Sequence, residues 1–147
     1  MRIINNGNIK NQAIKNDAAV SEKKQNEFHN KYLEKKEYTD VKQKLKNLLE
    51  RIDIQAQRLS SSLTVSELKE YKRLVSEFLN IAVNNSHKFS KERFLDTKGR
   101  FRFFCLVRKI NEEIDSLTNE VMKKEKNRID ILSKLYDIRG MLVDIMA

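Results

Sequence analysis

The amino-acid sequence predicts an all-α protein, and three observations support this fold class. The chain of 147 residues has no proline and only three glycines, so it lacks the turn residues that a many-stranded sheet requires. It is rich in Lys, Glu, Leu, Ile and Asn. From about residue 35 onward, apolar residues recur three and four positions apart, which is the helical period. Its length suits one domain with a substantial core.

Residues 1–33 do not share this period. They are rich in Asn and Lys, and their scattered apolar positions fit neither a helix nor a strand. We therefore expect a flexible N-terminal arm followed by a helical domain over 34–147. An interaction tail that becomes ordered on a partner is the alternative.

Two helices are predicted to follow the arm and to form an antiparallel hairpin. The first ends near Ser60–Ser62. Thr64 and Glu67 have the spacing of a capping box, so the second helix should start there and continue to about Phe89. The short link makes the two helices neighbours. Their apolar stripes comprise Tyr38, Val41, Leu45, Leu48, Ile52 and Leu59 in the first helix, and Leu68, Tyr71, Val75, Phe78 and Ala82 in the second.

A long C-terminal helix is predicted to pack on this hairpin. It follows the turn-forming stretch "LDTKGR". Its stripe runs through Phe103, Val107, Ile110, Ile114, Leu117 and Val121, weakens at "KKEKN" (residues 123–127), and resumes in Ile131, Leu135, Ile138, Leu142 and Ile145. Because no Pro or Gly interrupts "KKEKN", we expect one helix of about 45 residues. A bend or split at 123–127, near Lys126, is the alternative.

Positive charge is concentrated in one stretch of the chain. The formal net charge is +9, which raises the question of an acidic partner. The stretch from Lys88 to Lys109 contains eight basic residues and two acidic residues, Glu92 and Asp96. It therefore contributes +6 to the net charge. The basic residues are Lys88, Lys91, Arg93, Lys98, Arg100, Arg102, Arg108 and Lys109.

Within this stretch, basic residues alternate with aromatic residues. Such a surface could contact phosphates and stack on bases. We instead favour a helix start, in which Asp96 caps the helix, Gly99 adopts a left-handed turn, Phe103 enters the core and the arginines stay solvated. That interpretation explains the order of the residues as well as their types. The candidate surface residues are Lys98, Arg100, Phe101, Arg102, Phe104 and Arg108.

The C-terminal part of the chain contains a second candidate contact face. Ile129, Tyr136 and Val143 recur every seven residues, away from the main stripe. Gly140 lies near them, although glycine within a helix costs up to about 1 kcal/mol relative to alanine. Close approach of another helix, as in a dimer, would explain the glycine. A local weakness without a role is the alternative.

Catalytic and metal-binding patterns are poorly represented. His29 and His87 have no second ligand at metal-site spacing, and Cys105 is the only cysteine. The acidic residues Glu112, Glu113 and Asp115 fall on a side that is expected to be solvated. No serine lies in a nucleophile elbow and no Gly-rich loop is present. We therefore expect no enzymatic activity, no metal and no cofactor.

The sequence also argues against a membrane protein. No window approaches the roughly 18 consecutive apolar residues that span a bilayer, and the N-terminus lacks the apolar core of a secretory signal. We expect a soluble, cytoplasmic protein.

Three stretches resemble one protein family. "RIDIL…IRGMLVDI", "YKRLVSEFLNIAVNNS" and "DTKGR" are similar to the YaaR family of small bacterial proteins, most of which have no known function. The resemblance covers roughly residues 38–147. It implies a helical domain with a long C-terminal helix, and it implies no known catalytic residues.

These observations favour a protein-interaction or scaffold module. The surplus apolar stripe of the long helix predicts homo-oligomerisation, and the sequence does not identify another protein partner. A protein that binds nucleic acid or an anionic ligand through residues 88–109 is the alternative, which we do not favour.

Overall fold

The protein is all-α, as predicted. The computed structural model describes the backbone of residues 2–87 and 97–147, and the side chains of residues 22–87 and 98–147. Four helices can be bounded within these ranges: α1 (Arg2–Ser62), α2 (Val65–Asn84), α3 (Thr97–Met122) and α4 (Arg128–Met146). No strand occurs in the described backbone.

Helix α1 begins much earlier than expected. Its backbone is helical from Arg2, so the prediction that residues 1–33 lack regular structure is wrong from residue 2 onward. No proline interrupts this stretch, and its lysine, glutamate, glutamine and alanine residues are good helix formers. The chain divides into two units, Met1–Glu37 and Tyr38–Ala147. The flexibility of the arm and its boundary at residue 33 stay predictions.

The link between α1 and α2 is organised by Thr64 and Gln55. The Thr64 hydroxyl accepts a hydrogen bond from the Glu67 backbone N–H at 3.4 Å, as one half of a capping box requires. The Glu67 carboxylate instead accepts from Gln55 Nε2, which also donates to the Glu67 carbonyl at 3.0 Å. Gln55 is 4% exposed. Its side chain therefore joins α1 to α2 inside the hairpin, where an unpaired amide would be costly.

Helix α2 ends before the predicted position. Its C-cap is Asn85, whose side-chain Nδ2 donates to the Ile81 carbonyl at 2.8 Å. This bond satisfies a carbonyl that the helix end leaves without an intrahelical partner. The predicted terminus at Phe89 lies outside the described residues.

Helix α3 begins within the stretch that was predicted to be a turn. It starts at Thr97, so Gly99 is helical, and none of the described glycines has a positive φ. The prediction of a left-handed Gly99 is therefore wrong, because the helix begins two residues before it. Asp96, the predicted cap, lies outside the described residues.

The long C-terminal helix is split at residues 123–127, so the prediction of a continuous helix is wrong and the alternative of a split there is confirmed. Helix α3 ends at Met122 and α4 begins at Arg128. Asn127 is the N-cap, and its Oδ1 accepts from the backbone N–H groups of Ile129 at 3.1 Å and Asp130 at 3.3 Å. Asparagine is among the best N-cap residues. Helices α3 and α4 pack against each other, so this split is the turn of a second hairpin.

Two cationic side chains tie this turn to the end of α1. Lys126 Nζ donates to the Leu63 carbonyl at 2.8 Å, and Arg128 Nη2 donates to the Ser61 carbonyl at 3.5 Å. Carbonyls at a helix C-terminus lack intrahelical partners and carry partial negative charge, so cations are favourable there. The two hairpin turns therefore lie at the same end of the bundle.

One apolar core joins the four helices. Its fully buried side chains include Leu45 and Ile52 of α1, Tyr71 and Phe78 of α2, and Ile110 of α3. Helix α4 contributes Ile131, Leu135, Ile138, Leu142 and Ile145. These residues lie on the predicted stripes, because the helical period places every third or fourth residue on the inner face.

We predict that Asn127→Ala lowers the free energy of unfolding by about 1 kcal/mol, because it removes the N-cap of α4. Urea denaturation followed by circular dichroism measures this loss. Asn119→Ala is the matched control, since Asn119 is exposed within α3 and alanine is the better helix former there. Equal stability of the Asn127→Ala protein and the wild type would contradict the role of the cap.

Candidate functional site

Helix α4 carries a row of exposed apolar side chains on its outer side. Ile129 is 78% exposed, Leu132 45% and Tyr136 79%, while Gly140 is exposed and Val143 half-buried. At 100° per residue these five positions fall within an arc of about 80°. We call them the α4 stripe. It unites the four predicted contact residues and adds Leu132, which the seven-residue repeat did not include although it lies one turn from Ile129 and Tyr136.

A groove between α1 and α4 borders the α4 stripe. It has a volume of about 360 Å³. Arg139 Nε donates to Asp53 Oδ1 at 2.9 Å, an exposed ion pair that contributes little to stability. Burial, and secondarily the charge of Asp53, raise the pKa of the Tyr71 phenol, so this hydroxyl stays neutral. The apolar part of its lining consists of Ile52, Ala56, Tyr71, Leu132, Leu135 and Tyr136.

A second groove, between α3 and α4, is acidic. It has a volume of about 650 Å³. Four carboxylates and one lysine line it: Glu112, Glu113, Asp137, Asp144 and Lys109. Tyr136, Gly140 and Met141 supply its apolar part. The surface is therefore locally negative on a chain of net charge +9.

The six basic and aromatic candidates are all exposed on the first turns of α3. Phe101 is 70% exposed and Phe104 51%. Phe101, Phe104 and Arg108 are spaced by three and four residues, so they form one row. Arg108 Nε lies 3.9 Å from Glu112 Oε1. Lys88, Lys91 and Arg93, the rest of the basic stretch, lie outside the described residues.

Phe103 and Phe104 illustrate how α3 separates core from surface. Phe103 is 4% exposed and packs in the core as predicted. The ring of Phe104 meets it edge to face, with centroids 5.4 Å apart, a favourable geometry for aromatic pairs. Phe104 is therefore partly supported by the core while half of it faces solvent.

The described side chains do not assemble a metal site. No three His, Cys, Asp or Glu residues among them are placed to hold an ion. Cys105 is half-buried and its thiol is unbridged. None of the helices within the described ranges combines the length and apolar character that crossing a bilayer requires.

Gly140 has open space beside it. A Cβ atom built there would meet nothing within 4 Å. No helix in the described part of the chain therefore explains the small residue, and the two remaining explanations are an approaching second molecule or a tolerated local weakness.

We predict that Gly140→Ala raises the free energy of unfolding by up to about 1 kcal/mol, because alanine loses less backbone entropy in a helix and has room for its methyl group. Thermal unfolding at low protein concentration measures the change in the isolated chain. A lower melting temperature would contradict the open space at this position.

Comparisons with known proteins place the chain among uncharacterised relatives. The model of a family described as "Protein of unknown function (DUF327)" matches residues 3–146. The uncharacterized protein YaaR of Bacillus subtilis (strain 168) is 32% identical over 101 residues, which are 69% of this chain and 69% of YaaR. The predicted resemblance to YaaR is thereby confirmed, and the family match also includes most of the N-terminal 33 residues.

Two solved structures share the fold. The uncharacterized protein BH1478 from Bacillus halodurans superposes with a TM-score of 0.72 at 31% identity, over 80% of this chain and 96% of that one. Moevan, a designed granulopoietic protein made by topological rescaffolding, superposes with a TM-score of 0.65 at 26% identity, over 75% of this chain and 94% of that one. Both likenesses extend over most of the described helices.

Proposed function

The chain belongs to the DUF327 family of proteins of unknown function, and we propose that it is a non-enzymatic protein-interaction module. Membership of this family does not indicate an activity. The contact surface of the module is the α4 stripe together with the adjoining groove between α1 and α4.

The exposure of the α4 stripe carries this proposal. Single exposed apolar residues are ordinary on protein surfaces, whereas contiguous apolar patches typically mark contacts. Ile129, Leu132 and Tyr136 are contiguous on one helix, and the two outer ones are more than three-quarters exposed. Tyrosine is enriched at the energetic centres of interfaces. The bordering apolar groove adds a recess into which a partner's side chain fits.

We predict that Ile129→Ser combined with Tyr136→Ser weakens partner binding about tenfold or more, since truncating the central anchors of an interface typically costs upwards of 1 kcal/mol each. Partners captured by the immobilised protein from a bacterial lysate are identified by mass spectrometry. Their dissociation constants are then measured with purified components.

Phe101→Ser is the matched control, because it removes an aromatic residue that is 70% exposed from a different helix. All three positions are exposed, so we expect folding stability to change by no more than about 0.5 kcal/mol per site. Equal affinity of the double variant and the wild type for every captured partner would contradict the proposed surface.

A second candidate function is binding of nucleic acid through α3. The favouring observation is that Arg100, Arg102 and Lys98 are exposed beside the exposed rings of Phe101 and Phe104. Arginine and lysine neutralise phosphates, and aromatic rings stack on unpaired bases. This arrangement suits a single strand better than a duplex.

For this second function, we predict salt-sensitive binding of labelled single-stranded DNA or RNA in fluorescence anisotropy. Arg100→Gln with Arg102→Gln should weaken binding at low salt and reduce its salt dependence, because each removes a phosphate contact. Ile129→Ser with Tyr136→Ser serves here as the control that retains binding. Absence of binding by the wild type at low salt would exclude this function.

A further inference from the structure

The segment of α1 from residue 22 to residue 37 is an exposed helix with an unusual distribution of side chains. Every one of its side chains is exposed. Phe28 is 78% exposed and Tyr32 63%, and they lie one turn apart. Packing of an apolar face supplies most of the stability of a protein helix, and this segment has no buried side chain. A covering surface would stabilise the segment and remove both rings from water.

The charges of this segment are sorted by face. At 100° per residue, three of the five lysines lie within about 60° of Phe28, namely Lys24, Lys31 and Lys35, while Lys36 and Lys23 lie about 80° and 140° away. The four glutamates lie about 100° or more away: Glu22, Glu27, Glu34 and Glu37. The aromatic side of the helix is thus also its basic side. We call it the basic–aromatic face.

The acidic groove between α3 and α4 has the opposite charge and a matching apolar part. Glu112, Glu113, Asp137 and Asp144 outnumber Lys109 in its lining. Tyr136 and Met141 present apolar surface between these charges. Open space beside Gly140 leaves room for another backbone to come close.

We propose that the basic–aromatic face of one copy docks in the acidic groove between α3 and α4 of a second copy. Phe28 and Tyr32 pack against Tyr136, Gly140 and Met141, and the flanking lysines pair with the groove carboxylates. Both surfaces are exposed in the chain, so each is available to another copy. A reciprocal exchange gives a closed dimer with two identical contacts.

This inference rests on the proposed function, since it names the partner as a second copy. It also gives a protein of net charge +9 a way to associate with itself despite the repulsion between like-charged copies. Opposite charges meet at the contact, while the remaining positive charge stays on other surfaces. Charge complementarity of this kind mainly sets specificity and register, and the apolar contacts supply affinity.

The test is a charge exchange in the full-length protein, measured by sedimentation velocity over a range of concentrations. We expect a wild-type dimer that dissociates on dilution. Lys24→Glu with Lys31→Glu places an acidic face opposite the acidic groove. Asp137→Lys with Asp144→Lys places the basic face opposite a basic groove. Each double variant alone should raise the dimer dissociation constant at least about tenfold.

An equimolar mixture of the two double variants should restore the dimer, because each copy then offers the charge that the other lacks. Lys23→Glu is the matched control for Lys31→Glu, since Lys23 lies about 140° from Phe28. It should leave the wild-type dimer intact. Circular dichroism of each variant checks that the helices are retained.

A wild type that is monomeric at every concentration overturns the inference. If that monomer still captures a heterologous partner through Ile129 and Tyr136, the proposed function stands alone. If it captures none, both fail. A dimer that is unaffected by either double variant also overturns the inference, because association then occurs through another surface.

Discussion

Asn127 and the two cations beside it determine how the C-terminal half of the chain folds. The Asn127 side chain accepts hydrogen bonds from two backbone N–H groups at the start of α4. Lys126 and Arg128 bind carbonyls at Leu63 and Ser61, where α1 ends. The turn at residues 123–127, where the chain reverses direction, therefore provides hydrogen-bond partners for backbone groups at the end of α1 and at the start of α4. It turns α4 back along α3, so that Ile131 and the apolar residues in register with it enter the common core.

The same reversal decides which residues remain outside. In a straight helix, the residues after Asn127 would extend away from α3, and no groove between α3 and α4 would exist. In the hairpin, Ile129 and Tyr136 point outward from the buried face of α4, and the acidic residues of both helices converge. The α4 stripe and the acidic groove are consequences of the turn. Charge is distributed unevenly over the described surface, with carboxylates gathered in this groove and exposed basic residues at the start of α3.

Much of the fold could be predicted from periodicity and capping residues. The stripes of all four helices were recognisable because burial on one face imposes a three-and-four spacing, and Thr64 marked the start of α2. The weaker stripe at residues 123–127 indicated a possible bend or split there, but the pattern could not show that the chain reverses, since the segment contains no Pro or Gly. Asn127 alone does not distinguish a cap from a solvated helical residue. The hydrogen bonds of Lys126 and Arg128 to the end of α1 join residues more than 60 positions apart, so the local sequence does not predict them.

The early start of α1 could not be predicted for a related reason. Apolar periodicity indicates helices that pack on one face, and all side chains of residues 22–37 are exposed. The candidate contact residues were found from spacing, whereas the grooves beside them depend on how the helices pack.

Concentration-dependent hydrogen exchange of the backbone amides in residues 22–37 tests the proposed self-association most directly. An exposed helix without tertiary packing opens readily and exchanges fast. If a second copy covers the basic–aromatic face, protection of these amides should rise with protein concentration, together with that of the α4 amides around Tyr136 and Gly140. Exchange in both regions that is unchanged from dilute to concentrated protein would contradict docking between copies.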